Sequence, residues 1–182
     1  MPRPPRPRPA EVNVVLRRVR LVLLVITLVV LENTVFRHLR IFDAIPALCL
    51  IATVAIAYEE GPQTGALFGF VSGLATDMLL SATPAGLSGL SFALTGYLLG
   101  VLQGGVIREV KGISPLLALV GGLIGGTIFL VVGGIIGVDG FFTLAQARIV
   151  IVAAVYDAAI APLVFAFARW ANHDPDRDRG WR

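Results

Sequence analysis

Between Lys111 and Asp139 the chain carries no charged residue. A stretch of that length and character matches the ~20 mostly apolar residues that an α-helix needs to cross a bilayer. A charge-free stretch of 30 residues separates Asp77 from Arg108, and shorter ones of 11, 15 and 16 residues separate Arg20 from Glu32, Asp43 from Glu59 and Glu60 from Asp77. Between Arg148 and Arg169 only Asp157 interrupts the apolar run. Composition agrees: 56% of the 182 residues are hydrophobic, 15% are charged, and the mean hydropathy is +0.83. Soluble domains hold roughly 45–50% apolar and about 25% charged residues, so most of this surface is expected to face something other than water.

Six transmembrane helices are expected, over about 19–36, 44–59, 62–81, 85–107, 113–138 and 145–169. The fold class is therefore an all-α membrane protein with about six helices in one bundle. The second segment is short and joins the third through Glu59-Glu60-Gly61-Pro62, so a tilted or re-entrant segment is the alternative there. Breaks at 37–43, 81–84, 108–112 and 138–143 carry glycine, proline or charge, the usual punctuation between elements. Residues 1–18 are dominated by proline and arginine, which alternate over 2–9, and are expected to form a disordered or extended cytoplasmic tail. Residues 19–170 form the membrane domain, and 171–182 a polar tail of mixed charge.

The run Leu21–Leu31, preceded by Arg17, Arg18 and Arg20, has the outline of a signal peptide. It is followed by Glu32-Asn33-Thr34-Val35-Phe36, which offers no small-residue cleavage site, so an uncleaved first helix is the better reading. The net charge of +3 comes from tails and one short loop without interleaved aromatics, which is not a nucleic-acid footprint. With six helices and a cytoplasmic N-terminus, the inside holds Arg3, Arg6, Arg8, Arg17, Arg18, Arg20, Arg108, Lys111, Arg169, Arg177, Arg179 and Arg182. Arg37, Arg40 and Arg148 fall outside. That partition is the one expected of a multi-pass protein with both termini in the cytoplasm.

Glycines recur every fourth residue at Gly65, Gly69 and Gly73, with Asp77 continuing the row, and again at Gly96, Gly100 and Gly104. Pairs at this spacing also occur at Gly121/Gly125, Gly122/Gly126 and Gly133/Gly137. Residues four apart share a helix face, and a face without side chains lets two backbones approach closely. These strips are expected to pack helices together, within the chain or against a partner helix.

Asp77 and Asp157 are the two carboxylates deepest in apolar sequence. A charged aspartate at a bilayer centre costs about 2.5–3.5 kcal/mol, so such a group turns inward and finds a partner. For Asp77 the options are Thr76, Ser81 or a group on another helix, or a wet capping position near the helix end. Asp157, with Tyr156 beside it and Pro162 on the next turn, is expected at a polar node. Cys49 reads as a small buried hydrophobe, and Glu59 and Glu60 mark a membrane boundary. His38 and His173 have no ligand spacing to each other, and no phosphate-cradling or nucleophile motif occurs, so neither a cofactor nor catalysis is expected.

The segment Gly61-Pro62-Gln63-Thr64-Gly65-Ala66-Leu67-Phe68-Gly69-Phe70-Val71-Ser72-Gly73-Leu74-Ala75-Thr76-Asp77, followed by Gly86-Leu87 and Phe92-Ala93-Leu94-Thr95-Gly96-Tyr97-Leu98-Leu99-Gly100, resembles MreD, the rod shape-determining membrane protein. The resemblance rests on G-x-x-x-G-F-x-x-G-x-x-x-D and then G-Y-x-x-G, over about 60 residues from Asp43 to Gly104. The Arg/Pro-rich tail resembles the actinobacterial type. One departure is that family members often carry aspartate directly after the second-helix proline, whereas Pro46 here precedes Ala47. The resemblance implies a non-enzymatic scaffold of the cell-elongation machinery that binds the bitopic protein MreC. Through MreC it would reach the actin-like MreB and a RodA-type peptidoglycan synthase. It also implies a fold similar to the substrate-binding subunits of energy-coupling-factor transporters. A vitamin-binding subunit of such a transporter is the alternative function, but its alanine coupling strip is missing from Val19–Phe36, which contains no alanine.

Overall fold

The computed structural model describes residues 9–36, 44–79, 84–106, 112–137 and 143–172. Six α-helices account for nearly all of them: α1 (Pro9–Leu31), α2 (Leu48–Glu60), α3 (Pro62–Leu79), α4 (Leu87–Val106), α5 (Ser114–Ile135) and α6 (Leu144–Asn172). No strand occurs among the described residues, and α1 runs directly into a π-helical turn, Glu32–Phe36. Two helices, α5 and α6, are long and apolar enough to cross a membrane. Their 22 and 29 residues correspond to lengths of about 33 and 43 Å.

Each expected segment holds one helix, but two starts differ. α2 begins at Leu48 instead of residue 44, which leaves it shorter than the transmembrane segment expected there, and α1 begins earlier than expected. α1 begins at Pro9, inside the stretch expected to be extended. Proline is accommodated at the first helical position, where its missing N–H leaves no bond unmade, and Ala10–Leu16 then continues as helix-compatible sequence. Residues 1–8 and 173–182, the outer parts of both expected tails, lie outside the described residues, as do the basic residues Arg108 and Lys111.

α2 is the hub of the bundle. Its 13 residues span about 20 Å, too short to cross a bilayer alone. Every residue from Leu48 to Ala57 is buried, and α2 packs on each of the other five helices. A helix that is apolar on all sides belongs in such a place. Local chemistry sets its ends. Pro46 disfavours helical backbone at Ile45, so the chain stays non-helical through Ala47. At the other end Gly61 adopts φ +90°, its N–H donates to the Ala57 carbonyl at 3.0 Å, and Pro62 opens α3 at once. The tight corner noted in the sequence is thus a stop and a start sharing one residue.

The core is mainly apolar, but the outer surface departs from that of a soluble protein. Large apolar side chains are exposed along α1 (Val22, Leu23), α3 (Leu67, Val71), α4 (Leu98, Leu102) and α6 (Val155, Leu163), while Thr53, Ser72, Ser91, Thr95, Asp77 and Asp157 are buried.

At one end of the bundle α1, α2 and α6 are tied by a polar latch. The Arg17 guanidinium donates to Asn172 Oδ1 at 3.0 Å and pairs with Glu60 at 3.1 Å. Asn172 Nδ2 donates to Glu59 and Glu60, both at 3.1 Å. The two glutamates read as a boundary do sit at the bundle's end, and they hold three helices together there.

Candidate functional site

The glycine rows of α3 and α4 face each other. A Cβ added at Gly65 would collide with the Ala57 side chain on α2 and come within 3.0 Å of the Gly96 carbonyl. At Gly69 it would lie 2.5 Å from the Phe92 carbonyl oxygen, and at Gly73 2.5 Å from that of Ser88. From the other side, Gly96 meets the Gly65 carbonyl and Gly100 meets Pro62, each at 2.5 Å from the would-be Cβ. The two helices therefore touch backbone to backbone along their length, the closest approach that glycine spacing permits. Both rows are used inside the chain. The surroundings of Gly104 and the side chain of Gln103 lie outside the described residues.

Hydroxyl side chains flank this seam. Thr53 on α2 donates to the Cys49 carbonyl at 2.8 Å and lies 3.2 Å from the Ser72 hydroxyl on α3. Ser91 on α4 donates to the Gly125 carbonyl on α5 at 2.6 Å, a bond between helices. The sequence reading missed both serines. Ser72 sits next to Gly73 in the glycine row, and that shoulder position was the available signal.

Asp77 closes the seam. It is 4% exposed, and it receives the N–H groups at the start of α4: Gly86 at 2.8 Å, Ser88 at 3.0 Å and Gly89 at 3.4 Å, all to Oδ2. The first N–H groups of any helix lack partners within it, and a carboxylate there satisfies them and complements the helix dipole. Thr76, one suggested partner, instead donates to the Ser72 carbonyl at 3.0 Å. Ser81 lies outside the described residues. Asp77 is thus both buried and a cap, but it caps the next helix rather than its own.

A second helix start is held in the same way. Asp157 of α6, 1% exposed, accepts the Ala47 N–H at 2.8 Å through Oδ1. Glu32, in the π-helical turn after α1, accepts from Cys49 N–H at 3.5 Å. Two carboxylates from opposite ends of the chain therefore flank the start of α2. The expected polar node at Asp157 exists, and its partner is this backbone. Ala47, the residue directly after Pro46, is the one whose N–H Asp157 holds. Cys49 is fully buried, as expected of a small hydrophobe.

Among the described residues no three His, Cys, Asp or Glu side chains converge in a way that would hold a metal ion. His38 and His173 lie outside them. Chemically, this arrangement neutralises helix ends and locks backbones together. Comparison with family models, curated proteins and solved structures finds no match to the chain.

Proposed function

We propose that this chain is a six-helix scaffold of the bacterial plasma membrane, of the MreD type, that holds a bitopic MreC-type partner within the wall-elongation machinery. The observation that carries this reading is the α3–α4 unit. The residues behind the resemblance, Gly65, Gly69, Gly73, Asp77, Gly96 and Gly100, form one interlocked hairpin, with the motif aspartate sealing the start of its second helix. Residues invested this way define a shape rather than a reaction centre.

The bilayer supports the same reading. An apolar exterior over buried hydroxyls and carboxylates suits lipid as solvent and would be an aggregation hazard in water. Helices joined end to end in alternation bring Arg17, Arg169 and the C-terminus of α2 to one side, which the positive-inside rule assigns to the cytoplasm. On this reading the short, buried α2 never meets lipid. Because the glycine rows face inward, the partner meets the outer sides of the helices, and the seam serves by fixing their relative positions.

Co-purification from membranes in a mild detergent tests the proposal. An MreC-type protein expressed with this chain is expected to be retained, and to be lost with Gly69→Leu or Gly100→Leu. No complex with the unmodified chain overturns the scaffold reading. A vitamin found by mass spectrometry in the purified protein would move it to a transporter subunit.

A further inference from the structure

On the outer face of α6, Leu163, Ala166, Phe167 and Trp170 line an open groove of about 360 Å³. Their spacing places them on one stripe of the helix, and three of them are exposed, at 61% (Leu163), 51% (Phe167) and 65% (Trp170). The stripe runs toward the end of the bundle where Arg17 meets Asn172. At that end the guanidinium of Arg20, on α1, sits over the Trp170 ring, 5.9 Å from its centroid.

The neighbouring arginines differ in how their charge is used. Arg17 is committed to Glu60 and Asn172. Arg18 is exposed. Arg20 is half-buried, and among the described residues it makes no ion pair, its contact being the indole face. A cation on an aromatic face keeps donors free for an anion. Trp170 has the character of an interfacial residue, with an apolar body and a polar N–H edge suited to the headgroup level.

We infer that the α1–α6 seam at the basic end is a binding site for one anionic phospholipid of the cytoplasmic leaflet. The Leu163–Phe167–Trp170 groove takes the upper part of an acyl chain, and Arg20, steadied on Trp170, takes the headgroup phosphate. The inference rests on the membrane reading above. It adds a specific ligand chemistry, because a groove merely facing lipid would have no preference for charge. Charge complementarity selects the occupant, since an apolar trough ending in a cation that makes no ion pair among the described residues matches an acyl chain ending in a phosphate with a net negative headgroup.

Native mass spectrometry of the full-length protein in mild detergent, with added phosphatidylglycerol or phosphatidylcholine, tests this. The unmodified chain is expected to retain one phosphatidylglycerol in preference to phosphatidylcholine. Arg20→Gln should lower that retention about fivefold, the size expected of one arginine at an anionic surface. Trp170→Leu, which keeps the groove apolar but removes the ring, should produce a smaller loss, and Arg18→Gln none. Equal retention of both lipids overturns the site, and so does an equal drop with Arg18→Gln and Arg20→Gln, which would mean diffuse attraction. Extraction of the chain from membranes by alkaline carbonate would instead overturn the membrane reading itself. A chain that resists extraction and shows no lipid preference refutes only the lipid site.

Discussion

Glycines four residues apart occur on α3, α4 and α5, but they do different work on the two sides of the bundle. Along α3 and α4 the facing atoms are mainly backbone, the carbonyls of Phe92, Ser88 and Gly65 and the Cα of Pro62, although Gly65 meets the Ala57 side chain first and Thr53 Cγ2 stands beside Gly69 and Gly96. Along α5 they are mainly side-chain tips: Val54 Cγ2 at Gly121, Leu50 Cδ2 at Gly125 and Val150 Cγ1 at Gly126. Gly122 lies between these cases, with Ala154 and Asp157 Oδ2 each 3.0 Å from its would-be Cβ. Backbone cannot move without shifting a whole helix, whereas a methyl can rotate away. Equal spacing thus yields one rigid seam and one adjustable seam.

Substitutions can break or sharpen that contrast. The largest effect is expected for Gly69→Leu, which should prevent α3 and α4 from closing and leave no monodisperse protein in size-exclusion chromatography. Gly69→Ala, with its Cβ 2.5 Å from a carbonyl oxygen, should cost about 2–3 kcal/mol in detergent unfolding. A negligible cost there would mean that the rigid seam has slack.

Next comes the cap on that seam. Asp77→Leu leaves three N–H groups at the start of α4, two of them buried, without their acceptor and should destabilise by about 3 kcal/mol. Asp77→Asn retains an acceptor oxygen and should cost about 1 kcal/mol. Equal losses with both would show that the negative charge, rather than hydrogen bonding, is what α4 requires.

Asp157 has one such bond, so Asp157→Leu should cost less, about 1–3 kcal/mol, with Asp157→Asn milder still. An effect larger than that of Asp77→Leu would make the start of α2 the dominant joint. The smallest effect is expected on the adjustable seam. In Gly126→Ala the three atoms nearest the new Cβ all belong to the Val150 side chain, and its packing cost is offset by up to about 1 kcal/mol of helix propensity. The variant should melt close to the unmodified protein; a marked loss would place α5–α6 in the rigid class.

How much of this was legible in the sequence follows distance along the chain. The α3–α4 hairpin was readable because its parts are near neighbours. Antiparallel helices joined by a short connection bring Gly65 opposite Gly96 and Gly69 opposite Phe92 with little freedom to do otherwise. Asp77 was legible as a buried carboxylate, and its partner Gly86 is only nine residues away. The clamp on α2 was not, because Ala47 and Asp157 are 110 residues apart and no local pattern joins them. Glu32 read as the end of an apolar run because nothing in its own helix reveals that a later helix starts beside it. The latch of Arg17, Glu60 and Asn172 was hidden for the same reason: charges near helix ends resemble solvated punctuation until three ends converge.

By itself, the sequence determined that the chain is helical, roughly where its six helices lie, and that their surfaces are apolar. Those properties follow from charge-free runs, from prolines at starts and from glycines at stops, all acting within a few residues. Only the tertiary structure decided that the shortest helix lies at the centre, and that buried carboxylates serve helix starts other than their own. It also decided which glycines meet backbone and which meet side chains. The physical reason is that an unmade hydrogen bond at a buried helix start, or an empty glycine face, requires a partner of a certain kind but does not specify where along the chain that partner lies.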